Sequence, residues 1–181
     1  MAYDLSQIDL LIVDRDETAW RGLLGGLGIR QPRFVPDARR AWAALAEAQA
    51  GSAKAVDILI CRWELPHSEE SKGAADVAAE GGTGLDLIRE LRRGAASPAP
   101  FMPAILVTAT ITRERVREAL DAGVNEILVL PLSAKSVEAR LREIIERPRK
   151  FIRGGTYFGP DRRRTARADY PGPYRRQDDK R

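Results

Sequence analysis

The chain has 181 residues, 44% of them apolar, and a formal net charge of +4. That is enough for one ordinary domain with a short appendix, and no apolar run reaches the roughly 18 to 20 residues that a membrane helix needs. A single cysteine, Cys61, and a single histidine, His67, exclude an internal disulfide and a His/Cys zinc core. The opening "MAYDLSQID" has no basic flank followed by an apolar stretch, so a cytoplasmic protein is expected. The charge is uneven: residues 149–181 hold 11 Lys and Arg against 4 Asp and Glu, a balance of +7, which leaves −3 on the first 148 residues.

Apolar runs bounded by turn residues alternate with segments of helical period. "IDLLIV" (8–13) reads as a first buried strand, followed by Asp14, Arg15 and Asp16 and a helix over 18–27. A short strand at Phe34 and Val35 precedes an alanine-rich helix over 37–49. "VDILIC" (56–61) is the third strand. A helix over 84–94 has Leu85, Ile88 and Leu91 at helical spacing. A fourth strand (103–109), a helix (112–123), a fifth strand (126–130) and a helix (133–146) complete the series. Five such units fit an α/β, flavodoxin-like fold: a five-stranded, doubly wound parallel sheet with helices on both faces, whose chemistry lies at the carboxyl ends of the strands. Residues 68–83, small, polar and glycine-rich, read as an inserted loop within a domain over 1–147. From Pro148 the periodicity ends, and residues 148–181 read as an extended, disordered basic tail.

Five pieces in this order, "LLIVDRDE", "DILICRWELP", "GLDLIRELR", "ILVTA" and "DAGVNEILVLPL", resemble the CheY-like receiver domain of two-component response regulators over roughly residues 7–147. The resemblance implies a bacterial phosphorelay signalling protein. It also shows where this chain departs. In receivers an aspartate four residues before a proline takes the phosphoryl group, and here that position, counted from Pro66, is Arg62. Two acidic residues after the first strand hold Mg²⁺; Asp14 matches the first and Arg15 stands at the second. The lysine before the proline that follows the fifth strand is Leu130. The aromatic switch position is Ile127, and the hydroxyl residue is kept as Thr108.

Chemistry makes these departures act together. Phosphoryl transfer to a carboxylate needs the nucleophile, a divalent cation and a cation for the equatorial oxygens, and a guanidinium has no lone pair to give. Mg²⁺ at about 5 Å from one arginine costs roughly 7 kcal/mol at an effective dielectric of 20, an upper bound because arginine swings toward water. The expectation is therefore a pseudo-receiver without cofactor, metal or enzymatic activity, with Asp16 a poor substitute ligand and Asp14 paired with Arg62, Arg15 or both. Trp63 is expected to pack, Glu64 to be solvated, Thr108 to serve as a strand residue, Cys61 to be an inert core thiol and His67 a loop residue.

The tail repeats "YFGPDRR" (157–163) as "YPGPYRR" (170–176), and similar basic tails look familiar from receiver-type proteins of α-proteobacteria. Tyr157, Arg162, Arg163, Tyr170, Arg175 and Arg176 are the candidate binding residues. They suit an acidic protein surface first, a solvated tail with no specific partner second, and nucleic acid or an anionic membrane third. The leading functional reading is docking on a signalling partner, a kinase, a regulator or another receiver-binding protein, through the fourth and fifth helices. A small-anion or nucleotide sensor using Arg15 and Arg62, and a nucleic-acid adaptor using the tail, are the alternatives.

Overall fold

The computed structural model describes residues 3–65, 83–94, 96–155 and 157–162. A 3-10 turn at Leu5–Gln7 leads into β1 (Leu10–Val13), α1 (Glu17–Gly25), β2 (Arg33–Val35), α2 (Ala38–Gln49), β3 (Ile58–Arg62) and α3 (Gly84–Arg93). β4 (Ala104–Thr108), α4 (Arg113–Ala122), β5 (Glu126–Val129) and α5 (Ala134–Glu146) follow. The five strands form one parallel sheet in the order β2-β1-β3-β4-β5.

Because side chains alternate along a strand, each apolar run feeds both faces of the sheet. Leu11, Val13, Leu59, Cys61 and Leu106 pack with α2, α3 and α4. Leu10, Ile12, Ile58, Ile60, Ile105 and Val107 pack with α1 and α5 through Trp20, Leu24, Val137 and Leu141. This two-sided burial is why the strands read as continuous hydrophobic runs.

Short polar side chains start the helices: Asp16, Asp37, Thr83, Thr112 and Ser133 each accept a backbone N–H of the first turn. α3 begins hard against the end of β3. A Cβ on Gly84 would come within 1.9 Å of the Arg62 carbonyl oxygen, so only glycine allows this approach. The expected insertion lies outside the described residues except for Thr83, whose side chain forms a reciprocal cap with Asp86. Among the described residues, no helix is long and apolar enough to cross a membrane.

The expectation of a disordered tail from Pro148 is corrected for its first part alone, since residues 163–181 lie outside the described residues. Phe151–Gly154 (β6) and Tyr157–Pro160 (β7) pair as an antiparallel hairpin that contacts α3 and α4. Phe101, Phe151 and Phe158 form an aromatic triad with centroids 5.1–5.7 Å apart. Gly159 sits so close to Gly123 that a Cβ on it would lie 2.8 Å from the Gly123 Cα. The local sequence hides this element because four-residue strands with glycine and proline carry no period of their own. Tertiary contacts hold them. Arg163, Tyr170, Arg175 and Arg176 lie outside the described residues.

A buried cation joins the hairpin to the domain. Arg92, 3% exposed, donates to the carbonyls of Gly123 (3.1 Å), Pro100 (3.0 Å) and Met102 (2.6 Å) and to Asn125 Oδ1 (3.4 Å). Its guanidinium stacks on Phe151 at 5.0 Å. Burial pulls its pKa down to about 10, against a smaller opposing effect of Tyr157, so it remains charged at neutral pH. Arg149 reaches the Asn125 carbonyl and Glu126 alongside.

Candidate functional site at the strand ends

The carboxyl ends of β1, β3 and β4 bring Asp14, Arg62 and Thr108 to one edge of the sheet. Val13 is in register with Cys61, and Arg62 with Val107. Asp14 is the hub. Its Oδ2 accepts from the Trp20 indole Nε1 at 3.0 Å and from Arg62 Nη1 at 3.4 Å, and its Oδ1 accepts from the Asp16 N–H at 3.1 Å. The Asp14 side chain is 9% exposed and that of Arg62 30%.

The expected pairing of Asp14 is therefore present with Arg62 and absent with Arg15, which is exposed and forms no ion pair among the described residues. Asp16 is committed elsewhere: its Oδ1 caps α1 by accepting the Ala19 N–H at 3.1 Å. A divalent cation needs several oxygen donors free to converge. Here the carboxylate at the strand end is filled by an indole N–H, a backbone N–H and a guanidinium. The residues present do not fit Mg²⁺. Among the described residues, no group of three or more His, Cys, Asp or Glu side chains converges.

The neighbouring positions are also occupied by packing or hydrogen bonds. Trp63 is 6% exposed and belongs to the core under α2 and α3. Arg115, at the start of α4, lies over the Trp63 ring at 4.7 Å, donates to Glu64 Oε1 at 2.6 Å and to Thr108 Oγ1 at 2.7 Å. Thr108, 1% exposed, donates from Oγ1 to the Thr110 carbonyl at 2.9 Å and accepts the Thr110 N–H at 3.2 Å. Glu64 is half-exposed, as expected of a solvated position, and Thr108 is the buried last residue of β4, as expected of a strand residue; the addition is Arg115, which ties the two together. Sequence reading missed Arg115 because it stands 51 positions from Glu64, and only the parallel order of β3 and β4 makes them neighbours.

Leu130 packs against the core beneath α1 and α5, and Ile127 against the opposite cluster. Leu130 offers no charge to the strand ends. Cys61 is fully buried, and burial, helped by the Asp14 charge, pushes its thiol pKa far up, so it is inert as a nucleophile. His67 lies outside the described residues. Tyr157 and Arg162, read as tail binding residues, bind within the chain: the Tyr157 hydroxyl donates to the Pro160 carbonyl at 2.7 Å, and Arg162 stacks on the Tyr157 ring at 4.2 Å while donating to Asp121 at 2.7 Å. No buried side-chain polar atom among the described residues lacks a partner.

No protein-family profile matches the chain. The chemotaxis protein CheY of Pseudomonas aeruginosa is 32% identical over 91 residues, 50% of this chain and 60% of that protein. Chemotaxis protein CheY-3 of Vibrio cholerae is 28% identical over 141 residues, 76% of this chain and 92% of that protein. Among solved structures, a putative response regulator from Chloroflexus aurantiacus superposes with a TM-score of 0.56 at 24% identity, covering 77% of this chain and 98% of that one. A CheY-like receiver domain protein from Methanospirillum hungatei gives 0.56 at 16% identity, covering 77% and 94%. The chain has the fold of a CheY-like response-regulator receiver domain.

Proposed function

We propose that this protein is a pseudo-receiver: a signalling protein with a receiver scaffold that takes no phosphoryl group at the usual position and acts by docking on a protein partner. The observation that carries the reading is the Asp14–Arg62 contact at the end of β3, with Trp20 as a second donor to the same carboxylate oxygen. An arginine replaces the nucleophile, and the carboxylate that a metal would use is spent on that arginine and an indole. The net charge of Asp14, Arg15, Arg62 and Leu130 is +1, which disfavours a divalent cation. Arg115 adds a second support, since it occupies the Thr108 hydroxyl that a phosphoryl group would otherwise attract.

Regulation then rests on abundance or on the partner itself, because the site has no chemical input. Anion sensing by Arg15 and Arg62 together has less support: Arg62 is drawn to Asp14, and the exposed Arg15 makes no ion pair there. The test is incubation of the full chain with Mg²⁺ and acetyl phosphate followed by intact mass spectrometry. An unchanged mass is expected, and the addition of one phosphoryl group would overturn the reading.

A further inference from the structure

The motif "YFGPDRR" (157–163) recurs thirteen residues on as "YPGPYRR" (170–176). The first copy, as far as Arg162, is seated against α3, α4 and the glycine that ends α4, at the end of the sheet opposite Asp14 and Arg62. Four residues that the copies share each have a task in that seat. The Tyr157 hydroxyl donates to the Pro160 carbonyl at 2.7 Å. Gly159 lets two backbones touch, since a Cβ there would lie 2.8 Å from the Gly123 Cα. Gly159 and Pro160 are buried. Arg162 stacks on the Tyr157 ring at 4.2 Å and donates to Asp121 Oδ1 at 2.7 Å. The second copy repeats these four as Tyr170, Gly172, Pro173 and Arg175 at the same spacing.

The two positions that differ also suit the seat. The Asp161 N–H donates to the Lys150 carbonyl at 2.8 Å, a bond that any residue except proline supplies, so Tyr174 supplies it equally. Hydrogen-bonded positions alternate along an antiparallel ladder: with 161 bonded, 159 and 157 are bonded, whereas 160 and 158 are not. That is why Pro160 is accepted, and a proline in the place of Phe158, as Pro171 is, costs no ladder bond. It does cost the ring. Phe158 lies 5.1 Å from Phe101 and 5.7 Å from Phe151, and proline makes no such aromatic contact. The first copy is therefore the stronger occupant and the one that is seated.

From this we infer that the cleft formed by Asp121, Gly123 and β6 is a binding site for Tyr-x-Gly-Pro-x-Arg segments, and that residues 170–176 of the same chain are its second occupant, exchanging with the first copy. The tether selects the same chain over another one: seven residues, 163–169, separate the copies, and a short linker of this kind gives an effective concentration of about millimolar. Exchange withdraws Phe158 from Phe101 and Phe151, so the choice of copy switches an aromatic surface between covered and bare. The inference stands independently of phosphoryl uptake at the other end of the sheet.

The test uses the full chain labelled with nitrogen-15 and carbon-13, with the resonances of β1 and β3 checking that each variant keeps its fold. Gly159→Val unseats the first copy, because its Cβ meets backbone. The second copy should then enter: the Gly172 α-protons should show a nuclear Overhauser contact with those of Gly123, and exchange of the Ile152 amide should rise by less than about tenfold. Gly172→Val alone should leave that exchange unchanged, yet added to Gly159→Val it should raise it by at least about another tenfold, a non-additive result. A separate variant, Phe158→Pro/Asp161→Tyr, gives the first copy the sequence of the second and should keep the contact between Gly159 and Gly123. In the double valine variant a synthetic peptide of residues 169–177 should shift the Gly123 amide resonance, and the same peptide carrying Gly172→Val should not. Ile152 exchange as fast in Gly159→Val as in the double valine variant, absence of the contact between Gly172 and Gly123, loss of the hairpin in Phe158→Pro/Asp161→Tyr, or equal shifts with both peptides would overturn the inference. So would a dimer of Gly159→Val in light scattering that Gly172→Val abolishes, since the second copy would then sit on another chain.

Discussion

Replacing Asp14 with alanine distinguishes a carboxylate that holds the strand ends together from one kept in an acidic pocket. In an acidic metal pocket, removing one carboxylate relieves like-charge repulsion, and the protein gains stability or stays level. Here the same change strands three donors. The Trp20 indole N–H belongs to a side chain 2% exposed, and leaving it unpaired costs about 1–3 kcal/mol. Loss of the bond from the Asp16 N–H adds about 1 kcal/mol. Arg62, with 30% of its side chain exposed, turns to water and adds little. The total is about 3 kcal/mol, and at 2–4 °C per kcal/mol for a chain of this size the melting midpoint should fall by about 6–12 °C. Arg62→Ala should cost less, about 1–2 kcal/mol, because Asp14 keeps its two other donors when a 3.4 Å contact is lost. Urea unfolding of both variants and of the double variant measures the coupling directly. A neutral or stabilising Asp14→Ala, or a greater loss from Arg62→Ala than from Asp14→Ala, refutes the hub assignment.

Arg92→Met should destabilise by about 3–5 kcal/mol, since it removes a buried cation from four oxygen acceptors and from the Phe151 ring; a loss below about 1 kcal/mol in urea unfolding would show that the cation does not hold the hairpin. Gly123→Ala meets a φ of +83° and places a Cβ 2.9 Å from the Phe158 carbonyl oxygen, so a cost of about 1–3 kcal/mol is expected together with greater amide exchange in β7. Arg115→Ala should leave stability within about 2 kcal/mol of wild type but shift the Thr108 and Trp63 resonances, and unmoved resonances would deny the link. Asp86 is partly buried, which raises its pKa, but the Thr83 hydroxyl and N–H and Arg89 outweigh this and hold it below 3.8. Its stabilising effect is therefore fully present above about pH 4 and lost as pH falls through the lowered value. Asp86→Asn should cost up to about 1 kcal/mol at pH 6 and approach wild type in strong acid; a difference that stays constant with pH would contradict the cap.

The five βα units are legible because buried parallel strands must be apolar on both faces, and the helices between them carry their own period. The Asp14–Arg62 contact is legible from charge alone, since two strand ends of opposite sign face one edge. Trp20 as a donor to Asp14 is not, because its position six residues on depends on how α1 leaves β1. Glu64, Thr108 and Arg115 meet only through strand order. Arg92 reads as one of two basic residues in the last turn of an amphipathic helix, a place where arginine usually meets solvent. Only the hairpin and the loops before β4 and β5 bury it. The hairpin itself is held by three phenylalanines and two close glycine contacts rather than by any local pattern.

The Trp20 indole N–H is a built-in reporter of the strand-end carboxylate, because it donates to the Asp14 oxygen that a metal would take. Its resonance in nitrogen-15-labelled protein, followed as Mg²⁺ and then acetyl phosphate are added, reads metal and phosphoryl binding at once. With Asp14 committed to Trp20 and Arg62, the resonance stays in place apart from a small, non-saturating drift with ionic strength. A saturable shift with Mg²⁺, enlarged by acetyl phosphate, would contradict that commitment.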